Sequence, residues 1–519
     1  MKTDFLIEKI KLPLLAVALI LTASSFVRPQ QNVSAAFSSY ERARQILDAA
    51  IAAHGGLENL RRADKISIHY KGVGHPPGQN MAFEAAPADF KRVGAKTLID
   101  YSGGRYVTEG QSNSAGGYKF NFRFVISPKR SFSIDVLQNR RGNEARNMSE
   151  SQKTQLKIGL LSEVPHLFLL YVAQRPETLR YAGETEIDGQ KLKAISFAAE
   201  NGALMTLSFE AQSNLLVRIE QLDSLSQMGD TTVGNIFSDY QIIGAVKVPH
   251  KRLGFANQLI TSENEYAEVT LSFTEGEKLL DAPPGFVEAT LPTTNAEVMR
   301  KVGDGVYLIE KIGAAYRVMI VEFDDHVMVL ETPTDPSVSR AIIRLVRQTV
   351  PNKPIKYVSF SHFHQDHTGG LREYIAEGAT IVVPPGNKTF VEQIAGLKFT
   401  LKPDLLALNP RPPRIETFDK KRVFTDGART VELYSIGPTS HVRDMVMFYF
   451  PKEKILFQGD MFSPLDQGGI PPIIEINHEL VKKVQELNLD VETLIGVHSG
   501  AVFWKDFLAA VNGPVQKVR

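Results

Sequence analysis

The stretch "SHFHQDHTGG", residues 361–370, places three of the chain's 12 histidines and one aspartate within six positions. The apolar run "IKYVSF" before it is typical of a buried strand, and "TGGL" after it predicts the beginning of a helix. In extended backbone, side chains two positions apart point to the same side, so His362 and His364 can face one metal ion. The chain then turns, so that Asp366 and His367 can face a second point nearby. We therefore predict a metal site for two ions on a strand-to-helix connection.

Three later segments end in residues that can complete such a site. Each is an apolar run followed by a metal-ligand type: "VELYSIGPTSH" ends at His441, "KILFQGD" ends at Asp460, and "ETLIGVH" ends at His498. The chain contains no cysteine, which excludes thiolate ligands and disulfide partners. Imidazole and carboxylate ligands suit Zn²⁺ foremost, with Fe and Mn as alternatives.

The pattern along the chain predicts two domains. Around the histidine motif, apolar runs typical of strands alternate with helical patterns, which favours a layered α/β domain over residues 295–519. Short alternating runs separated by Gly and Asn turns precede it and predict a helix followed by a mainly antiparallel β domain over 38–290. A single helix over 149–173 is expected to interrupt this sheet. The Pro/Gly break "DAPPGF" (281–286) lies close to the boundary.

The N-terminal segment, residues 1–35, has the pattern of a secretory signal peptide. Lysines precede an apolar run over 12–21, which is shorter than the ~20 residues that a membrane span needs. We expect cleavage after about Ser25 or Ala35, with an uncleaved membrane anchor as the alternative. Both place the protein outside the cytoplasm, in the periplasm or the extracellular medium.

The charge balance argues against a nucleic-acid partner. The formal net charge is +1, and no basic stripe is present in the sequence. A small-molecule substrate is therefore the expected partner of the metal site.

The complete motif resembles the metallo-β-lactamase superfamily of dinuclear hydrolases over roughly residues 300–519. The resemblance implies a C-terminal αββα sandwich with the metals in the cleft between its halves, giving an α+β protein overall. It also implies two sets of ligands joined by a bridging carboxylate: His362, His364 and His441 for the first ion, Asp366, His367 and His498 for the second, and Asp460 between them.

The resemblance predicts hydrolysis of an ester, lactone, thioester or phosphodiester by a metal-bound hydroxide, which a metal pair makes available near pH 7. Asp366 is the expected catalytic residue, since it can orient the nucleophile, accept its proton and pass it to the leaving group. Lactamases of the best-known subclass carry Cys at the position of Asp460 and Lys at the position of Ser463. These two differences argue against true β-lactamase activity.

Three residues beside the motif receive separate interpretations. Glu331 stands where the family usually has Asp, and we expect it to support the ligands from behind. Arg443, two positions after His441, either contacts an anionic substrate or is a plain surface arginine. Tyr316 is a single residue without a partner pattern, so we assign it a structural role.

The N-terminal domain has a second, weaker resemblance. "GGLREYIAEGATIVV" (369–383) resembles a branch of the superfamily found in exported bacterial proteins, in which a β domain precedes the hydrolase. "AAIAAHGGLENLR" and "FSDYQIIGAVKVPHKR" are similar to the half-barrel of periplasmic lipoprotein carriers. This implies an apolar concave face that can hold a lipid, an acyl chain or a hydrophobic peptide. The alternative function is therefore a lipid- or envelope-component-binding protein with a vestigial or structural metal site. A redox role, as in the di-iron flavoprotein branch, is a third hypothesis, against which the missing flavodoxin-like pattern speaks.

Overall fold

The computed structural model of the protein describes residues 34–289, 298–313, 316–466, 468–498 and 500–513. The predicted signal segment lies outside these residues except for its last two positions, so its cleavage and the exported location stay predictions. Among the described residues, no helix has both the length and the apolar character that a membrane crossing requires.

The N-terminal part is built on one large sheet. Within the described residues, fourteen strands run in the spatial order β14-β6-β5-β4-β3-β2-β1-β13-β12-β11-β10-β9-β8-β7. Neighbouring strands pair antiparallel except β14, which pairs parallel with β6. The predicted antiparallel β domain is thereby confirmed. The strands are β1 Lys65–Gly74, β2 Phe90–Asp100, β3 Arg105–Asn113, β4 Lys119–Ile126, β5 Phe132–Asp135, β6 Glu144–Asn147, β7 Arg180–Ile187, β8 Gln190–Ala198, β9 Leu204–Glu210, β10 Leu216–Leu225, β11 Gly229–Ile243, β12 Val246–Ala256, β13 Leu259–Thr270 and β14 Val287–Ala289.

Helices pack on part of this sheet. Their apolar side chains and those of the strands form the core of the N-terminal part. They are α1 Ala35–Ala53, α2 Leu57–Arg62, α3 Glu150–Leu161, α4 Pro165–Ala173 and α5 Thr274–Glu277. The prediction of a single helix over 149–173 is wrong, because the helix is interrupted between α3 and α4. Proline lacks an N–H and clashes with the preceding turn, so Pro165 begins a new helix instead of continuing the old one. Helix α4 is buried on all sides from Pro165 to Val172 and packs with α1 in the N-terminal core.

The C-terminal part has two facing sheets with helices outside them. The first sheet has the order β15 to β21, and the second has the order β22 to β27. Apolar side chains of both sheets, such as Met319 and Phe448, form one buried cluster. The predicted αββα sandwich is confirmed. Its elements are β15 Met299–Gly303, β16 Val306–Ile312, β17 Tyr316–Glu322, β18 Val327–Leu330, α6 Pro336–Thr349, β19 Ile355–Ser359, α7 Gln365–Thr368, α8 Leu371–Glu377, β20 Thr380–Val383, α9 Lys388–Ala395, α10 Leu405–Leu408, β21 Arg414–Thr417, β22 Lys421–Thr425, β23 Thr430–Ser435, β24 Val446–Phe450, β25 Ile455–Gln458, α11 Glu475–Glu486, β26 Thr493–Gly496, β27 Ala501–Phe503 and α12 Trp504–Asn512.

Two histidines of the N-terminal core make the fold sensitive to acid. His54 and His166 are fully buried, and each contacts a backbone carbonyl, that of Ala50 at 2.8 Å and that of Ala63 at 3.1 Å. Burial lowers the pKa of both to about 4. The unfolded chain, with a histidine pKa near ~6.5, therefore binds more protons than the folded chain between these values. Their contribution to stability is complete above the unfolded pKa and is lost as the pH falls toward 4.

We expect the free energy of unfolding to drop by about 2 kcal/mol for each of these histidines between pH 7 and pH 5. Urea unfolding followed by circular dichroism at both pH values measures this drop. The double variant His54→Gln/His166→Gln is expected to lose about 4 kcal/mol less than the parent on acidification. His250→Gln, on β12, serves as the control. An equal loss in the double variant and the parent would show that other groups cause the acid sensitivity.

Candidate metal centre

The histidine motif lies at the carboxyl end of β19, in the middle of the first sheet of the sandwich. Strand β19 pairs parallel with β18 on one side and with β20 on the other. His362 and His364 lie on the connection after the strand, and Asp366 and His367 lie in the single helical turn α7. The motif thus presents its side chains on a connection from strand to helix.

The other three predicted ligands come from the second sheet. Asp460 follows β25 by two positions, and His498 follows β26 by two positions. The prediction that a strand ends at His441 is wrong, because β23 ends at Ser435. Pro438 has no N–H for the ladder, and the chain leaves the sheet as a loop. The hydroxyl of Thr439 accepts the N–H of His441 and so shapes this loop.

His362, His364 and His441 form a first group of ligands. The Nε2 atom of His362 lies 3.0 Å from the Nδ1 atom of His364, so both rings direct a nitrogen to the same place. All three side chains are buried. Both ring nitrogens of His441 are buried without a hydrogen-bond partner among the described residues. Buried polar atoms in this state fit a bound cation, which would satisfy them.

Asp366, His367, Asp460 and His498 form a second group beside the first. The Nε2 atom of His498 lies 3.1 Å from Asp366 Oδ2 and 2.9 Å from Asp460 Oδ1. The Nε2 atom of His367 lies 3.2 Å from the same Asp460 oxygen. The ligand atoms within each group lie within 4.8 Å of one another. This donor set of imidazole and carboxylate suits a divalent metal.

Asp460 connects the two groups through its two carboxylate oxygens. Oδ1 faces His367 and His498 of the second group. Oδ2 lies 3.4 Å from the Nε2 atom of His441, in the first group. The seven side chains predicted from the sequence are therefore all brought together, with Asp460 between the two sets.

Glu331 and Ser361 support the ligands from behind. The buried Glu331 carboxylate accepts the N–H of Ser361 at 2.8 Å and lies 3.1 Å from His367 Nδ1. The Ser361 hydroxyl lies 3.0 Å from His362 Nδ1. A partner on Nδ1 fixes the ring orientation and leaves Nε2 free for a metal. Glu331 has a φ of 87°, an uncommon value for a residue other than glycine, and the backbone adopts it where the carboxylate turns under the motif.

The surroundings shift the pKa values of the two groups in opposite directions. Burial lowers the pKa of His364 to about 3 and that of His362 well below its ordinary value. Burial also acts to lower the pKa of His367, but the carboxylates of Glu331, Asp366 and Asp460 outweigh it and raise that pKa well above the usual range. The pKa of His498 is raised in the same way, with Asp460 the strongest carboxylate. The carboxylates of the second group thus favour protonation of its imidazoles, whereas burial disfavours protonation of His362 and His364.

The N-terminal domain closes on the centre with contacts that sequence reasoning missed. The backbone carbonyl of Asn80, in the loop between β1 and β2, accepts the Nε2–H of His364 at 2.9 Å. The side-chain amide of Gln79 donates to Asp366 Oδ1 at 3.1 Å. The hydroxyl of Tyr118 donates to the backbone carbonyl of Asp460 at 2.8 Å. No local pattern around these residues signals such a contact, because it depends on how two distant sheets pack.

Tyr316 lies differently from what the sequence suggested, and Arg443 is half-exposed. The ring of Tyr316 lies 4.8 Å from that of His498, so this residue lines the centre although we assigned it a structural role. Burial raises the pKa of Tyr316, and the nearby Asp366 carboxylate raises it further. The Arg443 guanidinium contacts Asp444 at 2.9 Å and Glu84 at 3.6 Å. Its contact with substrate stays a prediction.

The centre opens toward solvent on the side of the second group. The side chain of Asp366 is 28% exposed and that of Asp460 is 16% exposed, whereas that of His441 is 6% exposed. We call this side, formed by Asp366, Asp460 and Tyr316, the open edge.

The comparisons with known proteins concern this part of the chain. Residues 315–498 match the family model described as the metallo-beta-lactamase superfamily. The 2,4-dinitroanisole O-demethylase subunit alpha of Nocardioides sp. (strain JS1661) is 27% identical over 147 residues, which are 28% of this chain and 40% of that protein. The chain thus spans less than half the length of this curated relative.

Solved structures are similar at low identity. A metallo-beta-lactamase from Pontibacter korlensis is 18% identical and covers 42% of this chain and 99% of its own, with a TM-score of 0.32. A mono-zinc metallo-beta-lactamase from Pseudomonas aeruginosa is 20% identical and covers 41% and 93%, with a TM-score of 0.31. Rubredoxin oxygen:oxidoreductase from Desulfovibrio gigas is 18% identical and covers 41% and 59%, with a TM-score of 0.32.

Proposed function

We propose that this protein is an exported dinuclear metal-dependent hydrolase, because residues 315–498 match the family model of the metallo-beta-lactamase superfamily and the ligand groups lie within this range. Its substrate carries an ester, lactone, thioester or phosphodiester bond. Members of the superfamily are mostly metal-dependent hydrolases, and some are oxidoreductases. We favour hydrolysis because the centre combines a bridging carboxylate with a second, partly exposed carboxylate that can accept and donate a proton.

The position of Asp460 carries this proposal. One of its oxygens lies 2.9 Å from His498 and the other lies 3.4 Å from His441, so a single carboxylate serves both ligand groups. A site for one ion would not need a shared carboxylate between two buried sets of imidazoles. A bridging carboxylate is suited to two ions held side by side, as in two-metal hydrolytic sites.

The ligands and Asp366 would have separate roles in hydrolysis. When bound, a divalent metal pair lowers the pKa of a coordinated water to about neutral and polarises a carbonyl or phosphoryl oxygen. Asp366 lies at the open edge, oriented by Gln79 on one oxygen and by His498 on the other. It can accept the proton of the attacking water and transfer it to the leaving oxygen or sulfur. Zn²⁺ is the foremost candidate metal, with Fe and Mn as alternatives, since the donors are imidazole and carboxylate alone.

A cavity in the N-terminal domain supports the alternative function. It has a volume of about 810 Å³, and its lining includes Tyr106, Ile126 and Leu170 next to the basic residues Lys153 and Arg175. Such a mixed lining suits an amphiphile. In the alternative, the protein binds a lipid or another envelope component there, and the metal centre is structural or vestigial.

Metal content and turnover together test the proposal. We expect about two Zn, Fe or Mn ions per purified chain by elemental mass spectrometry, and fewer in His362→Ala. His478→Ala, which changes an exposed histidine of α11, is the control and should keep both ions. The metal-loaded protein is then assayed on a carboxyl ester, a lactone, a thioester and a phosphodiester. Because the curated relative is named as an O-demethylase, 2,4-dinitroanisole is added.

The outcomes distinguish a hydrolase, an oxidoreductase and a binding protein. Turnover of one class, lost in His362→Ala and kept in His478→Ala, supports the hydrolase. Oxygen consumption with a reductant and no hydrolysis would instead identify an oxidoreductase. Co-purifying lipid without any turnover would favour the binding protein.

A further inference from the structure

A row of aromatic rings runs along one face of β4 in the N-terminal domain. Tyr118, Phe120, Phe122 and Phe124 occupy alternate positions, which puts their side chains on the same side of the strand. Tyr118 and Phe120 are stacked with ring centroids 6.1 Å apart, and Phe120 and Phe122 are stacked at 6.5 Å. The rings thus form a continuous apolar strip, which we call the aromatic row.

The inner end of the aromatic row touches the metal centre. The hydroxyl of Tyr118 donates to the backbone carbonyl of Asp460, and its ring lies 6.2 Å from the ring of His441. The row therefore begins beside two of the metal-ligand residues, Asp460 and His441. When the scissile bond of a substrate lies at the metal centre, an apolar group next to that bond could extend along these rings.

A cation without a partner lies on this row. The guanidinium of Arg140 lies 5.3 Å from the ring centroid of Phe120 and 5.9 Å from that of Tyr118, which are cation–π distances. In the part of the chain that the structure describes, no carboxylate lies within ion-pair distance of the Arg140 guanidinium. Its neighbours differ, since Arg141 donates to Ser133, and Arg146 pairs with Asp466 at 2.5 Å.

The loop that carries Arg140 is held in place by the rest of the fold. The fully buried Asp135 carboxylate accepts the backbone N–H of Arg140 at 2.7 Å and that of Arg141 at 3.1 Å. The carbonyl of Arg140 accepts the N–H of Asp466, from the loop that follows Asp460, at 3.1 Å. The backbone of this cation is thus ordered before a substrate arrives, which lowers the entropic cost of binding.

Arg140 lies next to the metal centre through Tyr118. Its guanidinium is 5.9 Å from the ring centroid of Tyr118, and the hydroxyl of that tyrosine donates to the backbone carbonyl of Asp460. An anion bound by Arg140 would therefore lie beside the metal ligands.

We propose that Arg140 binds a carboxylate of the substrate while Phe120, which is partly exposed, packs against its apolar part. The assignment rests on the proposed hydrolase function and specifies its substrate class: an ester or lactone with an acyl or aryl portion that also bears a carboxylate. The planar guanidinium can form two parallel hydrogen bonds with a carboxylate, a geometry that lysine cannot supply. The N-terminal domain would then contribute substrate recognition to chemistry carried out by the C-terminal domain.

A matched pair of substrates tests this assignment on the full-length, metal-loaded protein. The probes are the 4-nitrophenyl monoester of glutaric acid, which ends in a carboxylate, and 4-nitrophenyl valerate, which is neutral. We expect Arg140→Gln to lower kcat/KM for the anionic probe by about tenfold or more, through KM, because a charge-assisted bond is lost. The neutral probe should change by less than about twofold. Arg140→Lys should retain part of the preference, and Arg141→Gln serves as the matched control.

A binding measurement separates this assignment from the hydrolase function. Calorimetric titration with 4-phenylbutyrate and with neutral 4-phenylbutan-1-ol is expected to show a weaker Kd in Arg140→Gln for the anion alone. That result without turnover of either ester would support the anion site and contradict the hydrolase. Turnover that Arg140→Gln reduces equally for both probes, or an unchanged Kd for the anion, would overturn the anion site and leave the hydrolase standing. No binding of the anion to the parent protein would also overturn it.

Discussion

Replacing Asp460 by alanine is expected to lower the metal content from about two ions per chain to one or fewer and to reduce kcat/KM by at least about a thousandfold, or about 4 kcal/mol. The carboxylate serves both ligand groups, with one oxygen 2.9 Å from His498 and the other 3.4 Å from His441. No other carboxylate of the centre contacts His441 among the described residues. Loss of Asp460 would therefore remove a ligand from both ions of the proposed pair.

The measurement combines elemental mass spectrometry with initial rates on the substrate class identified in the screen. Asp490→Ala, which changes an exposed aspartate of the same domain, should keep both ions and the parent rate. Asp460→Asn retains the side-chain shape and shows whether loss of charge alone has the effect. Circular dichroism verifies that each variant is folded. An Asp460→Ala protein that keeps two ions and the parent rate would contradict the bridging role.

Replacing Glu331 by glutamine is expected to weaken metal binding by about 10- to 100-fold, the usual effect of losing a partner behind a metal ligand. The Glu331 carboxylate is fully buried and contacts both His367 Nδ1, at 3.1 Å, and the N–H of Ser361, at 2.8 Å. Glutamine has one oxygen and one amide group, so it can accept only one of these two hydrogen bonds. The ring of His367 then loses its fixed orientation or the backbone of Ser361 loses its partner.

Competition with a chelating dye at pH 7 measures the affinity of both proteins. Glu322→Gln is the matched control, because Glu322 lies at the end of β17, where it contacts Tyr307 and Lys353 outside the centre. Equal affinity in Glu331→Gln and the parent would show that Glu331 supports the backbone and does not tune the metal ligands.

The ligands could be predicted from the sequence because they lie near strand ends. Six of the seven follow β19, β25 or β26 within eight positions, and a sheet brings the carboxyl ends of its parallel strands to one edge. His441 is predicted correctly as a member of the centre although its strand ends earlier than expected, since its loop returns to the same edge. The alternation of strands and helices indicates a layered α/β domain, whereas the αββα sandwich was expected from the resemblance to the superfamily.

The contacts from the N-terminal domain could not be predicted in this way. Asn80 contributes a backbone carbonyl, which carries no side-chain signal, and Tyr118 and Gln79 resemble any other polar residues of a β domain. The break before Pro165 was available in the sequence, because proline disfavours a continuous helix. Tyr316 was missed since a single aromatic residue at the beginning of a strand is most often part of the core.

The contacts of Asn80, Gln79 and Tyr118 mean that the metal centre is completed only when the two domains dock. A C-terminal fragment beginning near residue 298 would leave His364 Nε2 and one oxygen of Asp366 facing solvent. Joining this fragment to a different β domain would exchange the residues that orient the ligands, along with any specificity that the β domain supplies. Activity would then require both domains together. Metal uptake would depend on the docking of the two domains as much as on the presence of the seven ligands.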